Sequence, residues 1–208
     1  IKGLIRSTVF DHFCGGETID QCAPIVKKLG ALHVGAILDY SVEGGETEEG
    51  FDKTTEEILR TFEASKKNGT IPFGVFKMTG LASTSLLEKI NSKMTLTPDE
   101  LAAFERVRNR VDRICARAHE YKVHVLIDAE ETWIQDPIDQ LAYEMMRKYN
   151  TQSAIVFNTY QMYRVDMLAN MKSAYHDATM HNYYLGVKMV RGAYMEKERE
   201  RADKMGYP

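Results

Sequence analysis

Lys77 directly follows the apolar run Phe73-Gly74-Val75-Phe76 and precedes the apolar-leaning Met78-Thr79-Gly80-Leu81. A lysine so placed is poorly solvated, and lysine is seldom buried without a partner. It therefore points to chemistry: holding an anion, or acting as an amine nucleophile. The cluster Asp128-Ala129-Glu130-Glu131 offers carboxylates for acid–base work or for a hard cation. No histidine spacing joins it as a transition-metal site needs, and His176 with His181 read as solvated surface. Asn158 with Tyr160, and Lys188 with Arg191 and Tyr194, again put polar groups at the end of an apolar stretch, as Asp39-Tyr40 does earlier. One polar residue past a strand is usually a turn former; the recurrence along the chain is what carries meaning.

The elements that must hold these residues follow from periodicity. Short β-branched or apolar runs predict strands at His33 to Tyr40, Pro72 to Lys77, Val123 to Asp128, Ala154 to Tyr160 and Gly186 to Arg191, with helical spacing between them. Such alternation is that of a parallel α/β sheet. Thr97-Pro98-Asp99-Glu100 supplies a capping threonine, a first-turn proline and the glutamate of a capping box, followed by a stripe of Leu101, Phe104, Val107, Val111 and Ile114. Asp136-Pro137 reads as a second helix start, leading to Ile138, Leu141, Met145 and Tyr149, and Met195 to Lys204 as a last helix stopped by Gly206. Gly-Gly-Glu-Thr occurs at Gly15 to Thr18 and at Gly44 to Thr47. Neither copy has a phosphate-loop layout, and each reads as a turn into an acidic helix start. Because the carboxyl ends of parallel strands open on one face, the polar tips converge, as in a (β/α)8 barrel whose active site lies at that face. An open doubly wound sheet would concentrate ligands only at a switch point.

Composition narrows the function classes. A net charge of −3 over 208 residues, with acids interleaved among the bases, gives no footprint for a phosphate backbone, and no nucleic-acid partner is expected. The 3 cysteines, Cys14, Cys22 and Cys115, cannot all pair and lack metal or redox spacing, which fits a reducing compartment. No apolar run approaches the ~18 residues of a membrane span, and Ile1 to Phe10 lacks a signal-peptide layout.

Taken together, Phe13 to Glu17, Ala36 to Tyr40 with Val42-Glu43, Phe76 to Leu81, Ile127 to Thr132, Phe157 to Gln161, and Val187 to Tyr194 with Met195 to Arg199 resemble the proline dehydrogenase family, in particular its animal mitochondrial members and some bacterial ones. The resemblance implies a (β/α)8 barrel of the TIM type and FAD-dependent oxidation of L-proline to Δ1-pyrroline-5-carboxylate, by hydride transfer to the flavin N5 with a quinone as electron acceptor. It implies that Lys77 holds the proline carboxylate and that Tyr194 packs at the substrate pocket. Asp128 and Ala129 would stand beside the flavin, Asp128 also orienting cations. Asn158, where many bacterial relatives carry glutamine, would contact the flavin pyrimidine edge, and Tyr160 would pack against the ring. Lys188 replaces an arginine of those relatives near N5. Val190, Arg191, Gly192 and Ala193 would hold the FAD phosphate and ribose portion. No metal is implied. The compartment is expected to be the cytoplasm with peripheral membrane contact, or alternatively the matrix side of the mitochondrial inner membrane.

A complete barrel of this class has about 250 residues, whereas this chain shows about five βα units. We read residues 1–208 as a single partial barrel domain, the amino-terminal part of a longer product, without strands six to eight and without a final helix carrying a tyrosine and paired arginines. Two rival readings accompany it. A lysine Schiff-base barrel enzyme would use Lys77 as nucleophile with Asp128 or Glu130 as proton shuttle, and borohydride trapping would reveal it. A truncated, catalytically weak barrel would serve as a structural or binding module.

Overall fold

The computed structural model describes residues 8, 10, 14–40 and 47–207. Expectations that fall on Phe13, Val42-Glu43, Gly44 to Glu46 and most of Ile1 to Phe10 lie outside them. The described elements run α1 (Ile19–Ala31), β1 (Ile37–Asp39), α2 (Glu48–Lys67), β2 (Phe73–Phe76), a 3-10 turn (Met78–Gly80), α3 (Thr84–Asn91), α4 (Pro98–Tyr121), β3 (His124–Ile127), α5 (Gln135–Tyr149), β4 (Val156–Gln161), α6 (Met167–Met180), β5 (Val187–Val190) and α7 (Met195–Met205).

Caps explain most helix starts. Thr18 accepts from the Gln21 N–H and Thr47 from the Gly50 N–H, so each Gly-Gly-Glu-Thr ends in the residue that opens an acidic helix. Thr97 and Glu100 form the reciprocal capping box before α4. α5 instead begins one residue before Asp136, at Gln135, and no side chain of its own caps it. The Asp136 N–H is taken by Asn91 Oδ1 on α3, 2.9 Å away, so the capping acceptor comes from a neighbouring helix. β1 is shorter than His33 to Tyr40, because His33 has φ of 59° and belongs to the turn closing α1.

Among the described residues the sheet has five strands in the order β1-β2-β3-β4-β5, every neighbouring pair parallel. Strand order follows chain order with no reversal, so each crossover returns the same way and the sheet curls as part of a barrel. One face of the strands, including Phe76, Val125, Ile127 and Val156, packs on Ile58 and Phe62 of α2, Val111 and Ile114 of α4, and Ile138 and Leu141 of α5. The other face stacks aromatic rings, with Phe73 and His124 centred 5.0 Å apart and His124 and Phe157 5.5 Å apart. Leu101 departs from its expected stripe and is 54% exposed. With 24 residues, α4 is about 36 Å long. Its first turn therefore overhangs strands of four residues, which span about 13 Å. No helix among the described residues is long and apolar enough to cross a membrane.

One buried amide ties β4 in place. Asn150, 0% exposed, ends α5 and donates from Nδ2 to the carbonyls of Val156 and Tyr184, both at 2.8 Å. Its Oδ1 accepts from the N–H groups of Ile155 and Val156 at 3.0 and 2.8 Å. Asn150→Ala removes these bonds and leaves their backbone partners short of protein contacts. We expect a loss of about 3 kcal/mol or more, read as a lowered urea midpoint with an unchanged slope.

Candidate functional site

Register determines which side chains meet. Phe76 pairs with Ile127, so the next residues, Lys77 and Asp128, stand level at the ends of β2 and β3. The Asp128 N–H extends the ladder by donating to the Phe76 carbonyl at 3.0 Å. Thr159 pairs with Lys188 across β4 and β5, and the Thr159 hydroxyl donates to the Ile127 carbonyl at 2.8 Å. The Lys188 ammonium then reaches over β4 to Asp128 Oδ1, 2.5 Å away. Lys77, Asp128, Thr159 and Lys188 thus line one cavity of about 340 Å³ at the carboxyl ends of the strands.

The segment after β5 completes the wall with Val190, Arg191, Gly192, Ala193 and Tyr194, while Ala129 and Gln161 close it between β3 and β4. Gly192 has φ of 113°, and a Cβ there would fall 1.9 Å from the Tyr163 ring, so the turn requires glycine. Three cations, Lys77, Lys188 and Arg191, share this wall with Asp128, which is already paired to Lys188. The surplus charge suits an anion. Tyr194 has its phenol pushed up to about 12, chiefly by burial and also by the negative charge of Glu130, against the hydrogen bond and charge of Lys77. Gln161 donates from Nε2 to the Glu130 carbonyl at 2.7 Å, whereas its Oε1 is buried without a protein partner. A buried acceptor left open beside a cavity is suited to a donor on a bound molecule.

Not every expected site residue reaches this cavity. Asn158 and Tyr160 lie on the opposite parity of β4 and are turned to the helix layer. Asn158 Nδ2 donates to Asp139 Oδ1 of α5 at 2.8 Å, and the Tyr160 hydroxyl lies 3.0 Å from that of Tyr143. Burial raises the Asp139 carboxyl, and the bonds from Asn158 and Gln135 oppose that rise. The physical reason is the pleat: Val156 packs in the helix-side core, and Asn158 and Tyr160 share its side. Neither side chain lines the cavity, although Asn158 Oδ1, like Gln161 Oε1, is a buried acceptor without a protein partner. Thr159 and Gln161 take the inward places. Strand alternation contained that signal, because the parity of Val156 fixes the parity of its neighbours. Asp39 and Tyr40, at the end of β1, do not line the cavity, and Glu131 pairs outside it with Lys197 at 2.6 Å.

A larger cleft of about 690 Å³ lies between α6 and β5, lined by Leu168, Met171, Tyr175 and Leu185. Among the described residues it is mostly apolar and brings together no set of charges or open acceptors, so the smaller cavity is the candidate site.

A family model described as Proline dehydrogenase matches residues 22–208. The carbapenem antibiotics biosynthesis protein CarD of Pectobacterium carotovorum subsp. carotovorum is 35% identical over 95% of this chain and 53% of its own length. Proline dehydrogenase 1, mitochondrial, of Dictyostelium discoideum is 32% identical over 97% of this chain and 42% of its own. The chain thus spans about half the length of these curated relatives. Proline utilization A (PutA) from Bdellovibrio bacteriovorus, solved after inactivation by N-propargylglycine, matches with a TM-score of 0.81 at 18% identity, covering 100% of this chain and 23% of that one. The likeness shows the fold: the described sheet is part of a TIM-type barrel.

The Tyr194 environment has a measurable consequence. Its folded value of about 12 lies above the ordinary ~10 of a tyrosine, so the native chain keeps its proton longer than the unfolded one. Stability tied to this group is present below about pH 10 and is lost as pH rises from there through 12. Ultraviolet titration of phenolate absorbance should show a component with a midpoint near 12 that Tyr194→Phe removes, and the substitution should lessen the loss of stability in that window.

Proposed function

Because the chain belongs to the proline dehydrogenase family, we propose that residues 1–208 form one partial barrel domain whose carboxyl-end rim holds FAD and takes L-proline as substrate. The observation that carries this reading is the level set of Lys77, Asp128 and Lys188 around a cavity closed by Tyr194. The residues fit the group: the basic wall suits phosphates, and the open Gln161 Oε1 suits an N–H of the flavin edge. FAD bound there would supply the hydride acceptor that turns L-proline into Δ1-pyrroline-5-carboxylate, its electrons then passing to a quinone.

Each side chain has a distinct task in this proposal. Lys77 holds the substrate carboxylate as a compact cation, and partial burial strengthens that attraction. Asp128 fixes the Lys188 ammonium by its 2.5 Å ion pair, keeping a positive charge where negative charge gathers during the reaction. Arg191 and the backbone of Gly192 and Ala193 hold the phosphate and ribose portion, with Val190 packing beneath. Tyr194 stays protonated at neutral pH, so its hydroxyl remains a donor beside the substrate. Thr159 and Gln161 take over the β4 contacts. In this reading the chain works in the cytoplasm or, as relatives named mitochondrial favour, on the matrix side of the inner membrane, in peripheral contact with the membrane that carries the quinone.

The test is anaerobic. Added FAD should bind the chain, and L-proline should bleach its visible absorbance, with a turnover far below that expected of a complete barrel. Arg191→Ala should weaken FAD binding by roughly tenfold or more, and Lys77→Ala should raise the proline needed for half-maximal bleaching by about 10- to 100-fold, the loss expected for a hydrogen bond to a charged group. A chain that retains no FAD, or whose bound FAD is indifferent to proline, would sink the reading.

A further inference from the structure

The 3-10 turn Met78–Gly80 begins immediately after Lys77, and the first N–H groups of any helical turn lack partners within it. Lys77 occupies the capping position, yet an ammonium has no acceptor, and its side chain makes no capping bond. The acceptor comes from the next strand. Glu130, just past β3, accepts from the Thr79 N–H at 3.0 Å and from the Thr79 hydroxyl at 2.5 Å. Glu130 is only 2% exposed. Its own N–H donates to Gln135 Oε1 at 2.8 Å, and its carbonyl accepts from Gln161 Nε2 at 2.7 Å. One residue thus joins the ends of β2, β3 and β4 to the start of α5.

Hydrogen bonding alone does not call for a charged group here. A glutamine would offer the Thr79 N–H the same acceptor without the cost of burying a carboxylate. What a glutamine lacks is charge, and the groups placed to feel it are the Lys77 ammonium and the Tyr194 hydroxyl. Among the described residues, the groups facing Glu130 are Thr79 and Lys77 from the β2 end, Glu131 on its own loop, Gln135 from α5, Gln161 from β4 and Tyr194 from the segment after β5.

We propose that Glu130 is a positioning residue: it clamps the turn behind Lys77 and is a buried counter-charge that steadies the Lys77 ammonium, with the Tyr194 hydroxyl, at the cavity wall. The inference deepens the substrate-holding role given to Lys77 and rests on it for its meaning, though its test needs neither flavin nor proline. Without the clamp, the turn loses its cap and Lys77 its fixed direction. Without the charge, the ammonium sits half-buried beside Lys188 and Arg191 with less to offset their repulsion.

The 208-residue chain is reductively methylated with 13C-formaldehyde, and the dimethyl resonance of Lys77, assigned by its loss in Lys77→Arg, is followed against pH. In the unmodified sequence this resonance should move in two steps: one at alkaline pH as Lys77 loses its proton, and a smaller acid step, at lower pH, as Glu130, whose carboxyl burial has raised above the ordinary carboxylate value, gains its own. Glu130→Gln should abolish the acid step and lower the alkaline midpoint by about one unit, Glu130→Asp should restore both in part, and Glu131→Gln should leave both in place. A single-step curve in the unmodified chain overturns the proposal even if Glu130→Gln does not fold. So does an unchanged alkaline midpoint in a folded Glu130→Gln. Coupled titration in a chain whose added FAD proline does not reduce would keep this inference and defeat the functional reading; the opposite pair of results would do the reverse.

Discussion

The backbone ladder between β2, β3, β4 and β5 is the constraint on which the site depends. Each pairing fixes both level and side, and because side chains alternate with a period of two, a slip of one residue would send a whole strand's inward set outward. Lys77 meets Asp128 because Phe76 is paired with Ile127, and Lys188 can cross to Asp128 because Thr159 beside it is short. What prevents a slip is the other face. Val125, Ile127, Val156 and Phe76 are buried against the helices, and exposing one such side chain costs about 1.5–3 kcal/mol. Apolar packing behind the sheet thereby holds the charges in front of it.

Buried polar groups then divide into those that serve the sheet and those that serve the cavity. Asn150 satisfies four backbone groups where α5 gives way to β4, so its burial is offset locally. Asp139 and Glu130 are carboxylates raised by burial, each holding bonds from two other residues or groups. Asp139 lies behind β4 among Asn158 and Gln135, whereas Glu130 lies at the rim. Gln135 links the two, taking the Glu130 N–H and donating to Asp139. The loop that carries Asp128 and Ala129 is therefore anchored at its far end by an amide belonging to the helix it leads into.

The barrel-like sheet was legible in the amino-acid sequence because the strands, of which β2, β3 and β4 are buried along most of their length, read as compact apolar runs, which Lys77 and Asp128 ended at the right places and Lys188 interrupted inside β5. Helix starts were legible where the capping groups are local, as at Thr97 and Glu100. They were misread by a residue where the acceptor is remote, as with Asn91 and the start of α5. The β4 motif illustrates a different difficulty. Asn158 and Tyr160 drew attention by type and by family likeness, but the side a strand residue faces is set by its neighbours' burial, which put Thr159 and Gln161 inward. The Glu130 clamp was beyond local reading, since its partner Thr79 stands 51 residues away along the chain.

The two halves of the rim are held by forces of different strength. On the β2 to β4 side, Lys77, Asp128 and Gln161 extend from strands whose helix-facing side chains are packed in the main core. On the β5 side, α7 buries none of its residues. It is fastened by polar contacts: Glu198 to the Thr132 N–H and hydroxyl at 2.7 Å each, Lys197 to Glu131, and Arg201 to Glu88 with its guanidinium over Trp133. Exposed ion pairs contribute about 0–1 kcal/mol apiece, well below the worth of a core side chain. The turn from Arg191 to Tyr194 hangs between this helix and β5, with Gly192 at its bend. In the proposed reading a ligand would meet a core-backed side at Lys77 and a side fastened by polar contacts at Arg191 and Tyr194. Such a division would let one face set the position of a small substrate while the other adjusts around a bulkier group.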